Sequence, residues 1–465
     1  MKVQRRDGIG VCGLTMLTPL ACALLAPGSA AMAGDDPLQV AKLVADDGTP
    51  ADLFGDSVAL RGDLILVGAF GDGPGSAYVF ARDGAEWSQQ AKLVADDGSA
   101  FDFFGDAVAA DGETVVIGAP AHDGDEPRNG AAYVFTCNDG QWTQQAKLVA
   151  DTPSMFAEFG GAVALEDDTI IVGAEHDEGH GTEAGAAYVF TREGTEWTQQ
   201  TELVAEGQLP HDHLGCSVDI CADTAVIGAY GVGLHSSGAA HVFVRDGDDW
   251  TRQAQLTPDD PGDYARFGCS VAIDGDTIVA GAFGDDENGY RAGAAYVFVR
   301  DGDAWAQQAK LALDDGEAED EFGRSADVSG DIAVIGSPRR AGGQPASGAA
   351  YVWVRTGESW EQRAEFTSDD IDDHDAFATS LAIEQQHVVV GTPFDDDNGF
   401  DSGSAYIFDL GSACPADFDG NGVVDTVDLL YLLGAWGTPD GDVDGDGNTD
   451  TVDLLALLGA WGDCP

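Results

Sequence analysis

The sequence predicts an all-β protein, a seven-bladed β-propeller of four-stranded blades, followed by a small α-helical domain. Three observations predict it. A block of about fifty residues recurs seven times in one register, each block holds short β-branched runs bounded by Gly or Asp, and after residue 413 a different, acidic duplication begins.

The chain opens on what reads as an export signal. Lys2, Arg5 and Arg6 form a basic start, an apolar stretch covers 11–26, and Ala31-Met32-Ala33 is a small-residue cleavage site, so residues 1–33 are expected to leave and the mature chain to begin at Gly34. The Arg5-Arg6 pair leaves open whether export is general or twin-arginine. No later run reaches 18 apolar residues, so no further membrane span is expected. Cys137, Cys216, Cys221, Cys269, Cys414 and Cys464 then lie where disulfides persist.

Residues 34–410 carry the repeat. A Phe-Gly pair stands at Phe54-Gly55, Phe104-Gly105, Phe159-Gly160, Phe267-Gly268 and Phe322-Gly323, with variants at Leu214-Gly215 and Phe377-Ala378. Fourteen residues after each comes a Gly that ends an apolar run: Gly68, Gly118, Gly173, Gly228, Gly281, Gly336 and Gly391. A third element of the type Gly130-Ala131-Ala132-Tyr133-Val134-Phe135 follows, and nine residues past its Tyr, or His241, stands Trp87, Trp142, Trp197, Trp250, Trp305 or Trp360.

Runs such as Thr114-Val115-Val116-Ile117 have the composition of strands buried on both faces. Each repeat offers four strands, except that the seventh stops at Phe408 and lacks the Trp strand. The segment Gln39-Val40-Ala41-Lys42-Leu43-Val44-Ala45, ahead of the first Phe-Gly pair, supplies it. The total is then 28 strands in seven sheets, a ring closed by the N-terminal strand.

Phe-Gly, then Ile117-Gly118-Ala119-Pro120, then Gly-Ala-Ala-Tyr-Val-Phe resembles the FG-GAP repeat of integrin-alpha-type propellers and their bacterial relatives. That resemblance implies a binding or cell-adhesion role. Calcium cages of the family's kind are not expected in the blades, because the first-to-second-strand connection is a tight hairpin such as Asp274-Gly275-Asp276. The hairpin Arg61-Gly62-Asp63 spells an adhesion tripeptide, but other blades hold ordinary turn residues there, so a structural turn is expected. All length variation falls between the second and third strands, at the end that also carries the blade connectors. The loops 122–129, 175–184, 283–292 and 394–402 are therefore the expected binding face.

Past Gly411-Ser412-Ala413, residues 411–465 form a second unit. Asp417, Asp419, Asn421, Val423, Asp425 and Asp428 are spaced as positions 1, 3, 5, 7, 9 and 12 of an EF-hand-type loop, with Gly422 at 6. Twenty-five residues later Asp442, Asp444, Asp446, Asn448, Asp450 and Asp453 repeat the spacing, with Gly447 at 6. Two Ca2+ ions are the expected cofactors, since five oxygen-bearing side chains and one backbone carbonyl per loop suit a hard cation. Each loop runs into an apolar helical stretch, Leu429-Leu430-Tyr431-Leu432-Leu433 or Leu454-Leu455-Ala456-Leu457-Leu458.

Paired loop-helix units without an incoming helix resemble a type I dockerin, as in the C-terminal anchors of secreted bacterial proteins including those of planctomycetes. The resemblance implies a cohesin-like partner, met by Thr426, Val427, Thr451 and Val452 at loop positions 10 and 11. Cys414 and Cys464 bracket the module, and a disulfide between them would staple a domain with little core of its own.

Charge excludes one class of partner. With 83 Asp and Glu against 21 Lys and Arg the formal net charge is -62, which a nucleic acid would not meet favourably. No nucleophile elbow, phosphate loop or Cys-His dyad stands out, so no catalytic residue is assigned. His176 and His180 share a loop with Asp177 and Glu178, and His211-Asp212-His213 lies in a blade connector; either set could hold a metal or stand as solvated loop histidines. Cys216 and Cys269 occupy equivalent places in neighbouring blades, as a bridge or as buried thiols. The expected function is that of a secreted, cell-surface or extracellular, non-catalytic propeller. It would bind a protein or glycan through its loop face and be anchored through calcium-dependent dockerin-cohesin contact. The alternatives are an extracellular polysaccharide-degrading enzyme component or a structural envelope spacer.

Overall fold

The computed structural model describes residues 37–84, 86–340, 347–368, 370–411, 423–424, 426–436, 449, 451–459 and 462–463. Seven four-stranded antiparallel sheets account for the repeat region. The first blade runs Val58–Arg61, Leu64–Ala69, Ser76–Asp83, Glu86–Leu93 from axis to rim, and the next five follow the same order. The last takes Ser380–Glu384, His387–Thr392 and Ser404–Asp409 from the end of the repeat region, and its rim strand is Leu38–Leu43. Leu38 pairs with Asp409 and Leu43 with Ala405, so strands from both ends of the propeller share one sheet. This is the closure expected from the strand count.

Burial follows position in the blade. The second strand Thr114–Ala119 is buried along its length, while the rim strand Glu86–Leu93 mostly alternates exposed and half-buried side chains. Packing between blades forms the core. Ile65, Val67, Tyr78 and Phe80 of the first blade meet Ala382, Val389, Ala405 and Ile407 of the last. Phe54 sits fully buried in that seam, edge-on to Tyr78 at 5.5 Å and to Phe80 at 5.9 Å. Burial of such a ring is worth roughly 1.5–3 kcal/mol, and it recurs around the ring at Phe104, Phe159, Phe267, Phe322 and Phe377.

The constant fourteen-residue spacing has a direct cause. The Gly55 amide donates to the Gly68 carbonyl at 2.9 Å, Gly105 to Gly118 at 2.9 Å, and so on to Ala378 and Gly391 at 3.1 Å. Gly is needed at the second member because the next blade presses on it. A Cβ on Gly68 would lie 1.9 Å from the Gly105 carbonyl oxygen. Parallel bridges such as Gly75 with Phe104 tie each blade to its neighbour, and Phe54 with Gly403 closes the circle.

In the C-terminal segment, α1 (Thr426–Gly434) and α2 (Thr451–Gly459) cover the two apolar stretches expected to be helical. Val423 and Val424 pair antiparallel with Asp463 and Gly462, and Val424, Leu432 and Leu457 are buried. No described helix is long and apolar enough to cross a membrane.

Candidate functional site

The two ends of the propeller are built differently. At the hairpin end, side chains of one blade cap the turns of the next: Asp111 accepts from the Asp167 amide at 2.7 Å and Asp274 from the Gly330 amide at 2.6 Å. The tripeptide Arg61-Gly62-Asp63 belongs to this ring. Arg61 pairs with Asp111 at 3.0 Å and Asp63 with Arg82 at 2.8 Å, so both charges are engaged within the propeller. Nearer the axis, Asp219 and Asp327 reach across blades to the amides of Ile273 and Ile383, each at 2.7 Å. Burial pushes their pKa values up to about 8 and about 7.

At the opposite end, each connector lies along the preceding blade's second-to-third-strand loop. The His213 amide donates to the Glu183 carbonyl at 3.3 Å and the Leu214 amide to Ala184 at 2.9 Å. A lysine locks this arrangement in four blades. Lys92 meets Asp47 and Asp72 at 2.6 Å each, and the Tyr78 hydroxyl donates to Asp47 at 3.0 Å. Lys147, Lys310 and Lys42 repeat the lock, Lys42 with Asp370, Asp395 and Asp397 at 2.9, 2.8 and 2.6 Å. Burial opposes the Lys42 charge, but hydrogen bonds to Asp395, Asp397, Tyr406 and Asp370 hold its pKa above the usual range.

Three blades depart from the pattern, with Gln255 and Glu365 in the lysine's place in the fourth and sixth and Glu202 in the third. Glu202 faces Tyr188 where Lys92 faces Tyr78. With no cation there, His180 turns to Glu202 at 3.2 Å, and the Tyr188 hydroxyl donates to Asp177 at 3.2 Å. Here the fold regroups the histidines that the sequence had placed in two separate loops. His176 lies against His213 with ring centroids 5.2 Å apart, His213 stacks on Tyr230 at 4.7 Å, and His211 Nδ1 stands 2.9 Å from Glu183.

Exposed aromatic side chains of the described propeller residues all lie at this loop end: Phe101, Phe156, Tyr264, Tyr290, Phe394 and Phe400. Phe101, 76 % exposed, borders a groove of about 430 Å³ that Phe103 and Arg128 also line. At the fifth blade, Arg266, Arg291 and Arg324 stand over the buried Phe283 at 5.3, 5.1 and 4.8 Å. Neither feature was read from the sequence, though one signal was available. Phe101, Phe156, His211 and Tyr264 each stand three residues before a Phe-Gly position.

The residue after each Phe-Gly pair is also informative. Asp56 and Asp106 hold this place in the first two blades, and burial pushes their pKa values up to about 6 and about 7. Cys216 and Cys269 hold it in the fourth and fifth. Both are free thiols facing the carbonyls of Gly268 and Gly323 at 3.4 and 3.5 Å, and burial pushes them away from the thiolate form. No bridge joins them.

Of the C-terminal loop residues, Asp417, Asp419, Asn421, Asp425, Asp442, Asp444, Asp446, Asn448 and Asp450 lie outside the described residues, as do Cys414, Cys464 and the side chains of Val452 and Asp453. Val423 opens the short strand pairing, and Asp428 is buried in the first turn of α1. Thr426 and Val427 on α1, and Thr451 on α2, are exposed.

The family model described as FG-GAP repeat matches the chain seven times, at residues 37–80, 87–135, 142–190, 197–243, 250–298, 305–353 and 360–408. Each match starts in the rim strand of one blade and ends in the third strand of the next, which is why the first begins at the strand that closes the ring. No curated protein matches the chain. Seven matches in register with seven blades place it by sequence and by architecture together: the chain belongs to the FG-GAP repeat family.

Proposed function

We propose that this chain is an exported, non-catalytic binding propeller that takes a glycan or protein ligand on its loop end. Its C-terminal unit, in this reading, is a dockerin-like module of the kind found in secreted planctomycete-type proteins. That module carries two Ca2+ ions and docks a cohesin-like protein through Thr426, Val427, Thr451 and Val452. The observation that carries the binding role is the one-sided distribution of exposed aromatics, from Phe101 to Phe400, on connectors and second-to-third-strand loops whose sequences differ between blades. Flat rings held on a rigid scaffold bind at little entropic cost. The anchoring role rests on the two complete ligand sets in the sequence.

The test is incubation of the mature chain with panels of extracellular polysaccharides and envelope proteins, scoring retention and release of shorter sugars together. Retention without release, weakened about tenfold by Phe101→Ala or Tyr264→Ala, supports the reading; tenfold is about 1.4 kcal/mol, a loss that only a minority of interface side chains bring when truncated. Release of sugars would replace it with the enzyme reading.

A further inference from the structure

The loop end of the third and fourth blades holds a set of side chains that the ligand-binding proposal does not use. Glu183 closes the second-to-third-strand loop of the third blade, and His211 and His213 come from the connector that lies along it. One donor atom from each of the three lies within 4.8 Å of the other two. A second trio, Glu158, Glu175 and His176, meets the same condition beside it, and the His176 and His213 rings touch. Three imidazoles and three carboxylates thus converge at this end of the third and fourth blades.

Two of these imidazoles carry an unexplained atom. Nδ1 of His176 and Nδ1 of His213 are shielded from solvent and have no hydrogen-bond partner. A buried polar atom left unpaired costs about 1–3 kcal/mol, and here each lies in a cluster of carboxylates and imidazoles. His241 also has unpartnered ring nitrogens, but it lies inside the blade, replaces a tyrosine and belongs to neither trio.

We propose that Glu183, His211 and His213 form a site for a divalent transition-metal ion of the zinc class, with coordination positions open toward the loop end. Two imidazoles and one carboxylate favour such an ion over calcium, which prefers oxygen donors only. Donors bound at ~2.0–2.2 Å sit roughly 3.4 Å apart in a tetrahedral shell. Glu183 and His211 are the more solvent-accessible members and have room to close that difference. Their backbones are fixed by the bonds from His211 to Thr182 and from His213 to Glu183, so closure is a matter of side-chain rotation.

The experiment uses the full mature chain in excess Ca2+, which occupies any oxygen-donor loops, titrated with Zn2+ by calorimetry and with Co2+ by visible absorption. One equivalent of Zn2+ with ligand-field bands for Co2+ is expected. Binding should weaken about tenfold or more in His211→Ala and in Glu183→Gln. His180→Ala, whose ring faces Glu202, should bind as the parent does. His211 is exposed, so its variant keeps the fold, checked by an unchanged circular dichroism spectrum. Absence of saturable Zn2+ uptake, or uptake that His211→Ala and Glu183→Gln leave intact, overturns the site.

Discussion

Ser380 of the last blade donates its hydroxyl to the carbonyl oxygen of Gly55 in the first, across 2.9 Å. The same bond joins neighbouring blades at Ser57 to Gly105, Ser217 to Gly268, Ser270 to Gly323 and Ser325 to Ala378. At the closing seam it links residues 325 positions apart, and the ring is shut by the contact used within it. Gly391 lies beside it, where a Cβ would stand 1.9 Å from the same Gly55 oxygen.

Two substitutions separate these effects. Ser380→Ala removes one hydrogen bond and is expected to cost about 1 kcal/mol. Gly391→Ala forces backbone against backbone at the seam and is expected to cost more, roughly 1–3 kcal/mol. Denaturant unfolding of the full chain measures both. A Gly391→Ala protein as stable as the parent would mean that the seam is loose.

Lys42 tests the closing strand by charge. It is the cation for Asp370, Asp395 and Asp397, and Asp395 is buried. Lys42→Met keeps most of the apolar stem but leaves a buried carboxylate without its partner, and a lost charge-assisted bond costs roughly 1.5–3 kcal/mol. The rim strand Leu38–Leu43 should then fray first. Hydrogen exchange at its amides, compared with those of Glu86–Leu93, reads that directly.

The ring was legible in the sequence because its constraints repeat. The Phe-Gly spacing is a hydrogen bond in six blades and the terminal Gly is an inter-blade clearance in all seven, so even the degenerate copy at Leu214-Gly215 stands in register. The loop end was legible only as a place. The meeting of His176 with His213, and of Arg266, Arg291 and Arg324 over Phe283, depends on which loop of one blade lies against which connector of the next. No local periodicity encodes that. Glu202 breaks the lysine position that Lys92, Lys147 and Lys310 keep, but Gln255 and Glu365 break it too, so that sign does not single out the third blade.

Partly buried acids set a pH dependence. Asp56, Asp106, Asp219 and Asp327 have folded pKa values pushed up to about 6, 7, 8 and 7 by burial. A raised pKa means that the folded chain holds protons the unfolded chain releases. The associated stability is full below the unfolded value, near 4, and is lost as pH rises through the folded values. His241, lowered by burial to about 4, acts oppositely, its stability being lost as pH falls from the unfolded value through the folded one. Thermal unfolding midpoints should therefore decline from pH 6.5 to pH 8.5. Asp219→Asn should flatten that decline, since a side-chain amide does not ionise. A midpoint that climbs with pH over this range would contradict the assignment.

The calcium proposal makes an asymmetric prediction. The first loop offers carboxylates at Asp417, Asp419, Asp425 and Asp428 with an amide at Asn421, whereas the second offers five carboxylates, Asp442, Asp444, Asp446, Asp450 and Asp453; position 7 gives a backbone carbonyl in both, at Val423 and Asn448. An additional anionic ligand raises calcium affinity and also raises the repulsion to be overcome without the ion. The second loop should fill first on titration after chelation, and chelation should loosen α2 more than α1. Asp444→Asn should remove the tighter of two binding steps, and Asp419→Asn the weaker. The helix signal regained with Ca2+ should depend on both, because α1 and α2 pack on each other. Calorimetry paired with circular dichroism separates the steps. Two equal sites would show that loop charge does not govern affinity here, and no calcium uptake would refute the dockerin-like reading itself.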